Sequence, residues 1–189
     1  IFVIRNIGNQ LATAEGSVEY GVHHLHTPLL VFLGHSACGA IKAASGDYSG
    51  ESSPIKRELD TIRIPKNGDI KTSILLNVNN QVSDALKKFP EEVKAGKLTV
   101  VGAIYDFRND FGQGIGKLII VNINGETSSE AIRERLKTGN IAGNPVVSQG
   151  AIASQQVASA SVKPVAGAMP YVELPSTTQH YAPRPVSFP

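Results

Sequence analysis

The residues best suited to chemistry lie together in Gly34-His35-Ser36-Ala37-Cys38-Gly39-Ala40. His35 and Cys38 stand at i and i+3 across a tight turn, so both side chains can converge on one point. Imidazole nitrogen and thiolate sulfur are the donors a tetrahedral zinc prefers, and the free N–H groups of a helix opening here would favour the thiolate. Gly39 and Ala40 let the backbone come close. Two donors alone do not make a site, because a buried thiol beside a hydrogen-bonded histidine is the commoner origin of an isolated His-x-x-Cys. Cys38 is the only cysteine in the chain, which excludes an internal disulfide and leaves the thiol free for a metal or for reaction.

Other chemistries can be weighed on the same residues. A nucleophile elbow needs Gly-x-Ser-x-Gly, and Cys38 occupies the place of the second glycine. A cysteine phosphatase loop wants arginine six positions after the cysteine, where Ala44 stands. Gly112-Gln113-Gly114-Ile115-Gly116-Lys117 has the composition of a phosphate loop but carries Leu118 where Ser or Thr should meet magnesium, and it leads into a strand. It reads as a hairpin turn. His23, His24 and His26 have helical spacing, for which a solvated helix face is the plainer account and a second metal site the sharper one. Tyr105 and Asp106 close a strand, where core packing and a turn-starting carboxylate suffice.

The elements that must position the turn follow from hydrophobic periodicity. Leu29-Leu30-Val31-Phe32-Leu33 is a continuous apolar run, typical of a strand buried on both faces, and it delivers the chain directly to His35. A helix is expected from Ser36 through Ala44, so the turn sits at the carboxyl end of a strand, where open α/β sheets place ligands. Ile1–Arg5 (IFVIR) reads as a further strand ending in the loop Asn6-Ile7-Gly8-Asn9. Residues 14–26 carry Val18, Val22 and Leu25 at helical spacing, Ile55 to Ile64 is a short helical stretch stopped by Pro65, and Ile70 to Phe89 is the longest helix. Leu98–Tyr105 and Lys117–Ile123 are expected to form an antiparallel strand pair, and Thr127 with Glu130 to open a last helix as a capping box. The predicted fold class is α/β, a mostly parallel central sheet flanked by helices.

Composition bounds the rest. At 189 residues with 41% hydrophobic and 18% charged residues, the chain can bury one sizeable core. A net charge of +2 with scattered Lys and Arg argues against a nucleic-acid surface, and no apolar run approaches the ~20 residues that span a membrane. After Gly139 only Lys163, Glu173 and Arg184 are charged, while seven of the eleven prolines fall there. Residues 1–138 are therefore expected to form the α/β domain and 139–189 an extended arm. Composition alone suits a disordered tail equally well, but the apolar positions Val146, Val147, Ile152 and Tyr171 exceed what a solvated linker requires, so the arm is expected to pack across a subunit boundary.

Arg5-Asn6-Ile7-Gly8-Asn9, Gly16-Ser17-Val18-Glu19-Tyr20, the strand with Gly34-His35-Ser36-Ala37-Cys38-Gly39-Ala40, and Val101-Gly102-Ala103-Ile104-Tyr105-Asp106 together resemble the β-class carbonic anhydrases in order and spacing. The resemblance implies reversible, zinc-dependent hydration of carbon dioxide to bicarbonate and a proton, a lyase reaction in which zinc lowers the pKa of its bound water towards neutrality. It assigns His35 and Cys38 as zinc ligands and points to Asn6, Gly8 and Gly39 for the substrate pocket. The family's first ligand belongs to a Cys-x-Asp-x-Arg segment, whose aspartate and arginine form the catalytic pair. No such motif occurs in the chain.

In the family the strand leading into that segment lies between those matched by Ile1–Arg5 and Leu29–Leu33. Without it two rows of backbone groups would lack partners at about 1–3 kcal/mol each, so the working protein is expected to have an N-terminal portion preceding Ile1. A shortened homologue without zinc is the competing reading. Carbon disulfide or carbonyl sulfide hydrolysis on the same scaffold, and a non-catalytic assembly protein, are the alternative functions. Homodimers or higher multiples are implied, and a cytoplasmic setting is favoured, any leader peptide lying outside these residues.

Overall fold

The computed structural model describes residues 1–141. Three strands form one mixed sheet in the order β1-β2-β3: β1 Leu29–His35, β2 Thr99–Asp106 and β3 Lys117–Ile123. β1 runs parallel to β2, with Leu29 opposite Thr99, Val31 opposite Val101 and His35 opposite Tyr105. β2 and β3 are antiparallel, as expected, and the ladder shifts register between Gly102 and Ala103. The glycine-rich segment between β2 and β3 is indeed a hairpin connection, with Gly112, Gly114 and Gly116 all at positive φ.

Helices flank this sheet. The chain forms α1 Glu15–Glu19, α2 Gly39–Ser45, α3 Ser53–Leu59, α4 Ile70–Lys88, α5 Pro90–Lys94 and α6 Ser129–Thr138. α4 crosses β1 and β2 because Ile74, Val78, Val82 and Ala85 recur on one face and are buried there. Each such valine or isoleucine contributes about 1.5–3 kcal/mol relative to exposure. The carboxylate of Asp69 caps this helix, accepting from the Thr72 N–H at 2.8 Å. Close approach of α4 to the sheet depends on Gly34 and Gly102, over which Val78 lies.

Several local expectations are corrected. Ile1–Arg5 is not a strand: it pairs with no element of the sheet, Ile1 and Val3 are exposed, and only Ile4 packs against the core. A strand needs a neighbour to take its N–H and C=O groups, and among the described residues none pairs with these. The helix expected over 14–26 is α only to Glu19 and continues as a π-helical turn over Tyr20–His24, in which the Leu25 N–H reaches Tyr20 O at 3.1 Å. α2 opens at Gly39 rather than Ser36, because the Ser36 N–H is committed to Tyr105 O and Ala37 is left-handed, with φ 54°. α6 is capped by Ser128, not Thr127. The Ser128 hydroxyl accepts from the Ala131 N–H and also bonds Glu130. α5 was not anticipated; Pro90, pre-set for a first helical turn, opens it directly after α4.

The loop expected at Asn6–Asn9 contains a 3₁₀ turn, Ile7–Asn9, that packs against β1, α2 and α4. It is held by a buried amide network. Gln10 Nε2 donates to Gly8 O and to Asn77 Oδ1, Asn77 Nδ2 donates to Gly8 O, and Gln81 links Gln10 Oε1 to the Leu11 N–H. Each of these three buried amides has partners on both its oxygen and its nitrogen, which avoids the desolvation cost of an unmet polar group.

Candidate metal-binding and active site

His35 is the last residue of β1 and Cys38 the residue before α2, so the two candidate donors lie in one turn at the carboxyl end of the strand. The turn is sharply shaped. Its Ser36 N–H bonds Tyr105 O at 3.0 Å, and Ala37 holds a left-handed backbone that costs a non-glycine residue about 1–2 kcal/mol. Such strain persists where the surroundings enforce it, and it is enriched at functional sites.

His35 is exposed, and its Nδ1 lies 2.9 Å from Ser36 O. A carbonyl can only accept, so Nδ1 carries a proton, and in the neutral ring Nε2 keeps its lone pair. This is the orientation in which a histidine ligates a metal while a backbone oxygen fixes its tautomer. Phe107 flanks the ring at 6.0 Å between centroids. Cys38 is buried and packs with Ile41, Ala44 and Leu59 at the α2 side of the core. Its side chain makes no helix-capping hydrogen bond, so the expected support of the thiolate by free helix N–H groups is not seen as a cap. Among the described residues no three His, Cys, Asp or Glu side chains group together as a metal site.

The turn is anchored by a residue that the sequence did not single out for a role. Asp106 is fully buried at the end of β2 and accepts from the N–H groups of Asp110 at 3.0 Å and Phe111 at 2.8 Å, with a longer bond from Arg108. Ser36 completes the arrangement, its hydroxyl bonding the Asp106 carboxylate and accepting from the Phe107 N–H at 3.1 Å. Burial pushes the Asp106 carboxyl upward, but the bonds from Phe111, Asp110, Arg108 and Ser36 outweigh it and hold the pKa below the usual value. A group depressed in the folded state stabilises above its unfolded pKa, and that stability is lost as pH falls through the folded value. Asp106→Asn should therefore cost about 1–3 kcal/mol at neutral pH and shrink the acid-side loss of stability. Denaturant midpoints between pH 7 and 3 test this, and equal slopes for variant and parent would exclude it.

Of the other expected site residues, Asn6 and Gly8 are already engaged and Gly39 stands open. Asn6 closes its own loop, with Nδ2 donating to Gln10 O at 2.7 Å and to Thr13 Oγ1 at 2.8 Å. Gly8 is buried at φ 74°, and a Cβ there would meet Ile62 Cδ1 at 2.8 Å. Gly39 is exposed at the start of α2, with open space where a side chain would stand. The histidines of the π-helical turn are occupied separately. His23 Nε2 meets Glu92 at 3.1 Å and His24 stacks on Tyr20.

Residues 1–114, well over half of the chain, match the family model described as carbonic anhydrase. The chain belongs to the carbonic anhydrase family. Carbonic anhydrase 2 of Mycobacterium tuberculosis is 28% identical over 145 residues, which cover 67% of each chain. The fold agrees with solved β-carbonic anhydrases. A Coccomyxa enzyme in complex with acetazolamide matches with a TM-score of 0.52 at 22% identity, covering 70% of this chain and 65% of that one. One from the fungal pathogen Aspergillus fumigatus matches with a TM-score of 0.50 at 24% identity, covering 71% and 69%. This carbonic anhydrase chain thus spans about two thirds of the length of these relatives. None of its described helices is long and apolar enough to cross a membrane.

Proposed function

We propose that the protein catalyses zinc-dependent reversible hydration of carbon dioxide to bicarbonate and a proton. The observation that carries this reading is the His35–Cys38 turn in a chain of the carbonic anhydrase family, with His35 Nε2 left free by the bond from Nδ1 to Ser36 O. The donor set fits zinc: one imidazole and one free thiol, with His35 fixed in tautomer by the backbone. When bound there, zinc would supply a Lewis acid that makes water a nucleophile at neutral pH.

The chain's own residues hold and shape that position. His35 and Cys38 are proposed as ligands, not as acid–base groups. Ser36 and Asp106 hold the turn, and the small residues Gly39 and Ala40 leave room beside it. A cysteine and the Asp–Arg pair from a segment preceding Ile1 are proposed to complete the site, in a homodimer or higher multiple. Elemental analysis of the protein with that segment should find about one zinc per protomer, together with carbon dioxide hydration. Metal-replete protein without hydration would overturn the reading, and protein that binds no zinc would favour a non-catalytic assembly role.

A further inference from the structure

The chain contains two Asn-Gly pairs, Asn67-Gly68 and Asn124-Gly125, and the fold treats them oppositely. An asparagine side chain lies within reach of the backbone that follows it, and a following glycine presents its nitrogen without a Cβ to shield it. That nitrogen can attack the carboxamide carbon. Whether it does so depends on how firmly the two groups are held.

Asn124-Gly125 is held at each point. Asn124 is 1% exposed, its Oδ1 accepts from the Val100 N–H at 2.7 Å, and its own N–H donates to Val100 O at 2.8 Å. The Gly125 N–H, which would have to attack, donates instead to Asn122 Oδ1 at 2.8 Å. Reaction there requires the end of the sheet to open, and core strands open only at free energies approaching that of global unfolding.

Asn67-Gly68 stands in the loop that leads into the Asp69 cap of α4. Asn67 is exposed, with a left-handed φ of 54°, and its N–H is tethered to Ser45 O at 2.8 Å. Among the described residues neither the Asn67 carboxamide nor the Gly68 N–H enters a hydrogen bond. Neither reacting group is committed elsewhere, and no helix or sheet bond is lost when they meet.

We propose that Asn67 is a site of spontaneous covalent modification, by cyclisation onto Gly68 and hydrolysis to aspartate or isoaspartate. The Gly68 nitrogen forms a bond to Asn67 Cγ, the Cγ–Nδ2 bond breaks, and Nδ2 leaves as ammonia with the proton that Gly68 gives up. Water then opens the imide at either carbonyl, and nothing is oxidised or reduced. The product carries one more carboxylate, which lowers the formal net charge of +2 by one. That carboxylate adjoins Lys66, whose ammonium bonds Ala44 O at 2.9 Å and Gly46 O at 3.1 Å at the end of α2.

Incubation of the full 189-residue chain at mildly alkaline pH, followed by peptide mass spectrometry that counts both acid products, tests this. In the folded chain conversion at Asn67 should run at least about tenfold faster than at Asn124, whose pair must await opening of the sheet. In urea the two rates should come within about threefold of each other, because each pair is followed by an acidic residue and the fold no longer distinguishes them. On isoelectric focusing, Asn67→Gln should remove the first acidic species that the parent accumulates. No conversion at Asn67, equal rates at the two pairs in the folded chain, a tenfold preference that persists in urea, or an acidic species undiminished in Asn67→Gln would each overturn the proposal.

Discussion

Cys38→Ser in the zinc-loaded protein should abolish zinc retention and lower carbon dioxide hydration by at least about 100-fold, beyond the 10–100-fold typical of outer-shell partners. Serine oxygen is a far weaker zinc donor than thiolate at neutral pH. Cys38 is also packed among Ile41, Ala44 and Leu59, so the new hydroxyl enters an apolar setting and should destabilise by about 1–3 kcal/mol. His35→Ala separates the two effects. His35 is exposed, and among the described residues its side chain bonds the adjacent Ser36 carbonyl, so its removal should change stability by no more than about 0.5 kcal/mol while causing the same loss of zinc. Zinc content, hydration rate and urea midpoint measured on both variants decide the matter. If either variant retains parental zinc and parental rate, that residue is not a ligand.

Gly102→Val should destabilise the domain by about 3 kcal/mol or more, at the upper end of what overpacking costs. A Cβ at Gly102 would stand 2.8 Å from Val78 Cγ1 and 3.1 Å from both Asn122 Cβ and Val82 Cγ2. These neighbours belong to the buried face of α4 and to β3, so relief requires moving the helix away from the sheet. Valine adds two further methyl groups to the same space. Gly34 faces the same obstacle from β1, where a Cβ would meet Val78 Cγ2 at 2.7 Å. The cause can be isolated with a cycle. Val78→Ala alone should cost stability by leaving a cavity, but combined with Gly102→Ala it should recover part of the loss, a coupling of about 0.5–3 kcal/mol. Strictly additive effects would show that Val78 is not what the glycine accommodates.

Much of the architecture was legible because it rests on local pattern. The α4 stripe of Ile74, Val78 and Val82, the apolar β1 run and the β2–β3 hairpin all follow from side-chain periodicity and turn composition, which depend on neighbours in sequence. The His35–Cys38 turn was legible for the same reason, since spacing alone places both donors after a strand. What sequence could not supply were properties set by distant partners. Whether Ile1–Arg5 becomes a strand depends on a neighbour to pair with, not on its β-branched content. The left-handed Ala37 and the late start of α2 depend on Tyr105, which lies 69 positions beyond Ser36 but accepts its N–H across the sheet. Asp106 reads as an ordinary turn carboxylate until the fold brings Ser36 to it, and Gln10 reads as a loop residue until Asn77 and Gln81 meet it. The sequence by itself determined which residues could bind a metal and which stripes must be buried. The tertiary structure alone decided which polar groups hold that turn, because a buried hydrogen-bonding group takes whichever partner the packed core brings within about 3 Å.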